Sequence, residues 1–406
     1  MSLAGEGALA AAPAASRSDE PPRANPLLVL IVAGMALAVI AGGFVTVAPN
    51  RILSGKPVSL WLAVELQWSL VLAALAVALG GLAFGRRTAA VDGMVAALAA
   101  ALLVGVLAAA GHAAALVTEA SGTMARTSFG LSFWVVLAGA AFALTDAVGR
   151  AAPNPLVQLL IAAAVLAVVA ALASFGVFDQ LSLVRELFTR RAMFFSEVGT
   201  HVALVLGALV VTLPAGAALG AFAFSRRRAA SAVFGGLNLV QTIPSIALFG
   251  LLIGPLTALA AAFPLLKTLG IGGIGAAPAI IALSLYGLLP VARGVFVGLE
   301  SVPVAAVEAA RGMGMTERQI LWQVAVPLAL PVLLTALRLV VIQLIGLTVV
   351  AALIGAGGLG AFIFLGLGQT ATDLILLGAL SSIGLALVAD LALRTVGGLT
   401  ASGGRP

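Results

Sequence analysis

Ten stretches of this chain are apolar for long enough to cross a lipid bilayer. They lie near 27–48, 66–84, 93–117, 130–148, 156–175, 200–224, 233–254, 274–292, 327–353 and 374–396. Crossing the hydrocarbon core takes about 20 residues of helix, and inside lipid every backbone N–H and C=O needs a partner within the protein. The expected fold is therefore an all-α polytopic membrane protein of about ten transmembrane helices. Composition agrees, since 62% of the 406 residues are hydrophobic and 9% are charged, against about 25% charged in a soluble domain. A soluble chain this apolar could not cover its own surface.

The basic residues orient the spans. With the N-terminus inside, Arg17, Arg23, Arg86, Arg87, Arg150, Arg226, Arg227, Arg228, Arg293, Arg311, Arg318, Arg394 and Arg405 are cytoplasmic. Arg51, Lys56, Arg126, Arg185, Arg190, Arg191 and Lys267 are outside, and Arg338 lies within a span. Both termini are expected in the cytoplasm, in a bacterial inner membrane. This topology accounts for the net charge of +6, so no nucleic-acid partner is implied. Cysteine is absent and there are two histidines, His112 and His201. That removes disulfides and thiolate metal sites, and no metal site is expected.

The first 25 residues are Ala/Pro/Ser-rich and read as a disordered cytoplasmic tail. Residues 26–175 hold five simple Ala/Leu/Val-rich spans for which no motif is evident. Residues 176–199 carry apolar positions at helical spacing and read as an outer amphipathic connector lying on the membrane surface. Residues 200–396 hold five more spans, richer in proline, glycine and polar side chains, and 397–406 form a second cytoplasmic tail.

Pro244 interrupts the seventh span, and broken helices at membrane depth are tolerated where they face protein or a water-filled cavity. Asn238, Gln241, Thr242, Pro244, Ser245, Ser284 and Gln343 are accordingly candidates for a solute path. Interhelical hydrogen bonding is the plainer alternative for any one of them. Arg338 and Asp390 are the ionisable residues deepest within spans, where snorkelling or mutual pairing would account for them.

The segment 301–326 leaves the membrane on the cytoplasmic side. Ser301 and Pro303 suit a helix start, with a short helix through Ala310 and a turn at Gly312 and Gly314. Thr316-Glu-Arg-Gln319 fits a capping box that opens a second helix. The product is a helix–turn–helix projection with a flat Ala309-Ala310 face beside Glu308. Local pattern alone fits an ordinary solvated loop as well.

Here the chain resembles the permeases of binding-protein-dependent ABC importers. Their cytoplasmic loop reads Glu-Ala-Ala, three residues, Gly, nine residues, then Ile-x-Leu-Pro. This chain has Glu308-Ala309-Ala310, Gly314 and Val324-Ala-Val-Pro327 at that spacing, with two conservative aliphatic departures. The resemblance implies that Glu308, Ala309, Ala310, Arg311, Gly312 and Gly314 form a coupling helix that docks on a cytoplasmic ABC ATPase dimer. It further implies that the C-terminal five spans form the importer core, and that ATP and Mg are bound by the ATPase with no cofactor in this chain. A periplasmic substrate-binding protein and a second permease subunit, identical or paralogous, complete the expected assembly in membrane lipid. Gln241-Thr-Ile-Pro-Ser245, Tyr286-Gly-Leu-Leu-Pro290 and Ile354-Gly-Ala-Gly-Gly-Leu-Gly360 are similar to the glycine betaine/carnitine/choline branch. That likeness implies import of glycine betaine or a related quaternary amine.

Gly355-Ala-Gly-Gly-Leu-Gly360 also satisfies a dinucleotide-binding string, but no strand signal precedes it. No phosphate-binding G-x-x-x-x-G-K-[ST] occurs either, so ATP hydrolysis has to come from a partner. A self-sufficient ion-coupled transporter would place acidic residues or histidine near span centres, whereas here, Asp390 apart, they cluster at span ends.

Overall fold

The computed structural model describes residues 25–50, 53, 55–122, 124–152, 154–268 and 270–402. The expected N-terminal tail, apart from Asn25, lies outside the described residues, as do Arg51 and residues 403–406. The chain divides into two compact units, the first ending at Val184 and the second beginning at Arg185.

The first unit opens with α1 (Pro26–Ala41), whose N-cap Asn25 side chain accepts from the Leu28 N–H at 3.3 Å. The apolar run continues to Ala48, yet the helix stops at Ala41. Gly42 and Gly43 break it, and the β-branched Val45-Thr46-Val47 suits a strand better than a helix. Strand β1 (Val45–Ala48) pairs antiparallel with β2 (Lys56–Val58) and β3 (Arg126–Phe129) in the order β2-β1-β3. A single helical turn, α2 (Leu60–Ala63), leads into α3 (Leu66–Leu82), α4 (Ala89–Ser121), α5 (Leu131–Ala151) and α6 (Pro155–Ser174).

Alanine builds the heart of this unit. Ala99, Ala109, Ala110, Ala113 and Ala114 of α4 and Ala140, Ala143 and Ala147 of α5 are each 1% exposed or less. Small side chains let two helix backbones approach closely, which is how helices associate when lipid removes the hydrophobic drive. At one end of the pair, Arg150 binds both Asp146 and, at 3.0 Å, Asp92. By contrast, α6 buries none of its apolar window within the chain.

The helix α7 (Ser182–Thr189) straddles the unit boundary, and α8 (Arg191–Ser225) follows at once. From Arg191 the connector expected over 176–199 is continuous with α8, the helix that carries the sixth apolar run. Nothing from Arg191 to Leu213 breaks a helix. The second unit continues with α9 (Arg227–Thr242), α10 (Ser245–Ala262), α11 (Pro264–Thr268), α12 (Ala276–Glu300), α13 (Val304–Gly312) and α14 (Glu317–Ile320). It closes with α15 (Val326–Ala351), α16 (Gly360–Gly368) and α17 (Thr372–Ser402). Where a tail is expected from 397, α17 runs on to Ser402.

Among the described residues, eight helices are long and apolar enough to cross a membrane, and α1 and α3 are shorter apolar helices. The span expected over 233–254 is two helices, α9 and α10, split at Ile243-Pro244. In the core of the second unit α12 packs along both α8 and α15, burying Leu204, Phe249, Leu283 and Leu344.

Candidate transport path and the connection between α12 and α15

A cavity of about 1110 Å³ lies among α9, α12 and α15. Its wall is largely aliphatic, with polar groups from Asn238 and Gln241 on α9, Arg293 on α12, and Thr335, Arg338 and Gln343 on α15. Three of the path residues expected from sequence, Asn238, Gln241 and Gln343, therefore share one wall. The other four do not line it. Ser284 is buried and donates to the Ala208 carbonyl at 3.3 Å, while its own carbonyl accepts from Thr212 at 3.3 Å. It ties α12 to α8. Thr242 bonds back to Leu239 within its own helix at 2.7 Å. Pro244 is the N-cap of α10 and Ser245 its first residue.

The α9–α10 break leaves helix-end carbonyls without partners, a costly state away from water. Tyr286 repairs it by donating its hydroxyl to the Ile243 carbonyl. Gln241 returns the contact, its side-chain N–H₂ donating to the Tyr286 carbonyl at 2.9 Å. The broken helix is thereby stitched to α12, and Gln241 serves both the stitch and the cavity wall.

Arg293 and Arg338 were missed as wall residues. The expected eighth span stopped at residue 292, which put Arg293 in a loop. Instead α12 runs on to Glu300, since Gly294-Val-Phe-Val-Gly-Leu holds no breaker that outweighs its apolar packing. Arg338 donates to Asp390 on α17, and Asp390 also binds Arg394 at 2.9 Å. Mutual pairing is thus the arrangement at Arg338.

The connection from α12 to α15 is compact. Ser301 ends α12 rather than starting α13, its hydroxyl donating to the Gly298 carbonyl at 2.7 Å, and Pro303 is the N-cap of α13. The helix extends through Gly312, so the turn falls on Gly314 alone, at φ +83°. Such a backbone favours a residue without a side chain. The expected capping box is present: the Gln319 N–H donates to Thr316 Oγ1 at 3.4 Å and the Thr316 N–H to Gln319 Oε1 at 2.8 Å. A single π-helical turn over Leu321–Ala325 then joins α14 to α15.

Arg311 braces the two short helices through two bonds to Glu317, at 3.0 and 3.3 Å. That carboxylate raises the guanidinium pKa above its usual value. The expected flat face is half right. Glu308 and Ala309 are exposed, but Ala310 is 1% exposed and faces inward with Ile320. Val304 and Met313 add exposed apolar surface to the outer side.

The glycine run at 355–360 follows a 3₁₀ turn, not a strand, and opens α16. Glu197 of α8 accepts from the Gly358 N–H at 2.5 Å. The buried His201, one turn on, accepts from the Leu359 N–H at Nδ1, 3.2 Å, and its Nε2 contacts the Ile345 carbonyl at 3.1 Å. These are positioning contacts for a loop, with no nucleotide geometry.

The family description "Binding-protein-dependent transport system inner membrane component" matches residues 212–397. The osmoprotectant import permease OsmW of Salmonella typhimurium is 40% identical over 190 residues, covering 47% of this chain and 83% of that protein. The chain belongs to the binding-protein-dependent ABC transport permeases. The carnitine transport permease OpuCB of Listeria monocytogenes is 36% identical over 208 residues, 49% of this chain and 88% of that one. The choline transport system permease OpuBD of Bacillus subtilis is 36% identical over 200 residues, 48% and 80% respectively. The N-terminal spans, which carried no recognised motif, match "ABC transporter permease YehY, N-terminal domain" over residues 23–184. The permease is a multi-pass inner-membrane transport subunit, not an enzyme. Membership of this family implies an ATPase and a binding protein as partners.

Proposed function

We propose that this permease imports glycine betaine or a related quaternary amine, passed from a periplasmic binding protein through the cavity among α9, α12 and α15. A second permease copy or paralogue closes the open side. Both termini lie in the cytoplasm, and α13 docks on the ATPase dimer, which binds the ATP and Mg. Residues 26–175 are an accessory region, and residues 200–396 are the transport core. The relatives named for osmoprotectant, carnitine and choline transport support the solute class.

One observation carries the mechanism. The helix α13 hangs directly from α12 and, through α14 and the π-helical turn, from α15, and those two helices supply most of the cavity wall. A displacement of α13 by closure of the ATPase dimer is therefore delivered to both walls of the path. Glu308, Ala309, Arg311, Gly312 and Gly314 form or shape the docking surface, and Ala310 seats it on the permease. Asn238, Gln241 and Gln343 face the solute, whereas Thr242, Pro244, Ser245 and Ser284 maintain the broken-helix geometry around it.

The test is uptake of labelled glycine betaine into proteoliposomes holding permease, ATPase and binding protein. Glu308→Lys puts a cation where a carboxylate faces the partner, and is expected to abolish ATPase association and ATP-driven uptake together. Uptake by the permease alone, driven by an ion gradient and indifferent to the substitution, would sink the reading.

A further inference from the structure

Several arginines of the second unit have carboxylate partners. Arg227 pairs with Glu300 at 2.6 Å, Arg311 with Glu317, and Arg338 and Arg394 share Asp390. Arg293 differs. Among the described residues no carboxylate pairs with it, although it is exposed and lines the cavity. Neutral contacts hold it in place. Its Nη2 donates to Asn238 Oδ1 at 3.5 Å, and its guanidinium lies 5.5 Å from the Phe234 ring centroid.

The rest of the wall sharpens the contrast. Among the described residues no Asp, Glu or aromatic ring lines the cavity, and the carboxylate adjoining it, Asp390, is already shared by two arginines. The space is net positive. It offers a planar guanidinium fork suited to a carboxylate, and none of the aromatic faces that hold a quaternary ammonium. A bare cation finds no carboxylate on this wall, only neutral amide and hydroxyl oxygens beside the arginines. A zwitterion can place its carboxylate on Arg293 and leave its ammonium group in the wider part of the cavity.

We propose that Arg293 selects for a carboxylate, so that the permease passes zwitterionic trimethylammonium solutes in preference to choline. The proposal rests on the quaternary-amine reading and narrows it. It adds a specificity-determining residue on α12 to the polar wall groups. Exposure of the guanidinium keeps the contact weak enough for a solute to leave, as a path requires.

Two measurements on the complete importer test it. In proteoliposomes, uptake of glycine betaine and of choline is compared between wild type and Arg293→Gln, with the same binding protein, so that the binding protein's own preference cancels. The betaine-to-choline ratio is expected to fall by roughly tenfold in Arg293→Gln, the scale of one lost charge-assisted contact, and to be partly restored in Arg293→Lys. Equal slowing of both solutes would mean a structural role and overturn the proposal. The second measurement is labelling of Arg293 by the arginine reagent phenylglyoxal, mapped by mass spectrometry. Glycine betaine and acetate are expected to slow labelling several-fold, and choline chloride at the same ionic strength is not. Indifference of the labelling to carboxylates overturns the proposal whatever the uptake shows. If wild type carries neither solute, the quaternary-amine reading fails, and the labelling still decides the role of Arg293.

Discussion

His201 makes two hydrogen bonds that a single neutral tautomer satisfies, with the proton on Nε2 facing the Ile345 carbonyl and the lone pair on Nδ1 facing the Leu359 N–H. Its side chain is fully buried, so neither partner has water to fall back on. Replacing it with alanine leaves two backbone groups unpaired and a void. The expected loss is about 2–4 kcal/mol, read as a lowered thermal midpoint of the purified permease, and an unchanged midpoint would count against this role. Sequence placed His201 near a span end and assigned it no chemistry. Its partners are more than a hundred residues away, and no local spacing encodes a contact of that kind. Arg293 escaped for another reason, since its role depended on a helix end that apolar patterning placed eight residues too early.

Among the elements, the legible ones are those that the bilayer sizes. Among the described residues, eight long helices and two shorter ones answer to the ten apolar runs, because lipid imposes length on any helix that crosses it. The three short strands were not legible. Each has three or four residues, too few for alternation to show, and Val45-Thr46-Val47 is apolar enough to pass as the end of a span. The capping box at Thr316 was legible because its signal is local. Thr316→Ala is expected to weaken the start of α14 by about 1 kcal/mol. Since α14 and the π-helical turn connect α13 to α15, more ATP should then be hydrolysed per solute imported. An unaltered ratio would show that this joint transmits force without its cap.

At the scale of the whole molecule, a core with its own buried cluster lies beyond Arg185, and the OsmW, OpuCB and OpuBD permeases each align with about half of this chain. Residues 185–406, produced with the ATPase and binding protein, are expected to retain ATP-driven uptake. Loss of uptake from a folded fragment would make the first unit part of the transport machinery. That first unit has a different vulnerability, set by the alanines between α4 and α5. An alanine has no rotamers to rearrange, so a packed seam of them cannot accommodate an added methylene by shuffling side chains, and overpacking costs about 1–3 kcal/mol per site. Drift along the seam is therefore confined to the smallest residues. In a saturation library, Ala109, Ala110, Ala113 and Ala140 would stand out as a narrow intolerant stripe, while the bare surface of α6 accepts almost any apolar replacement.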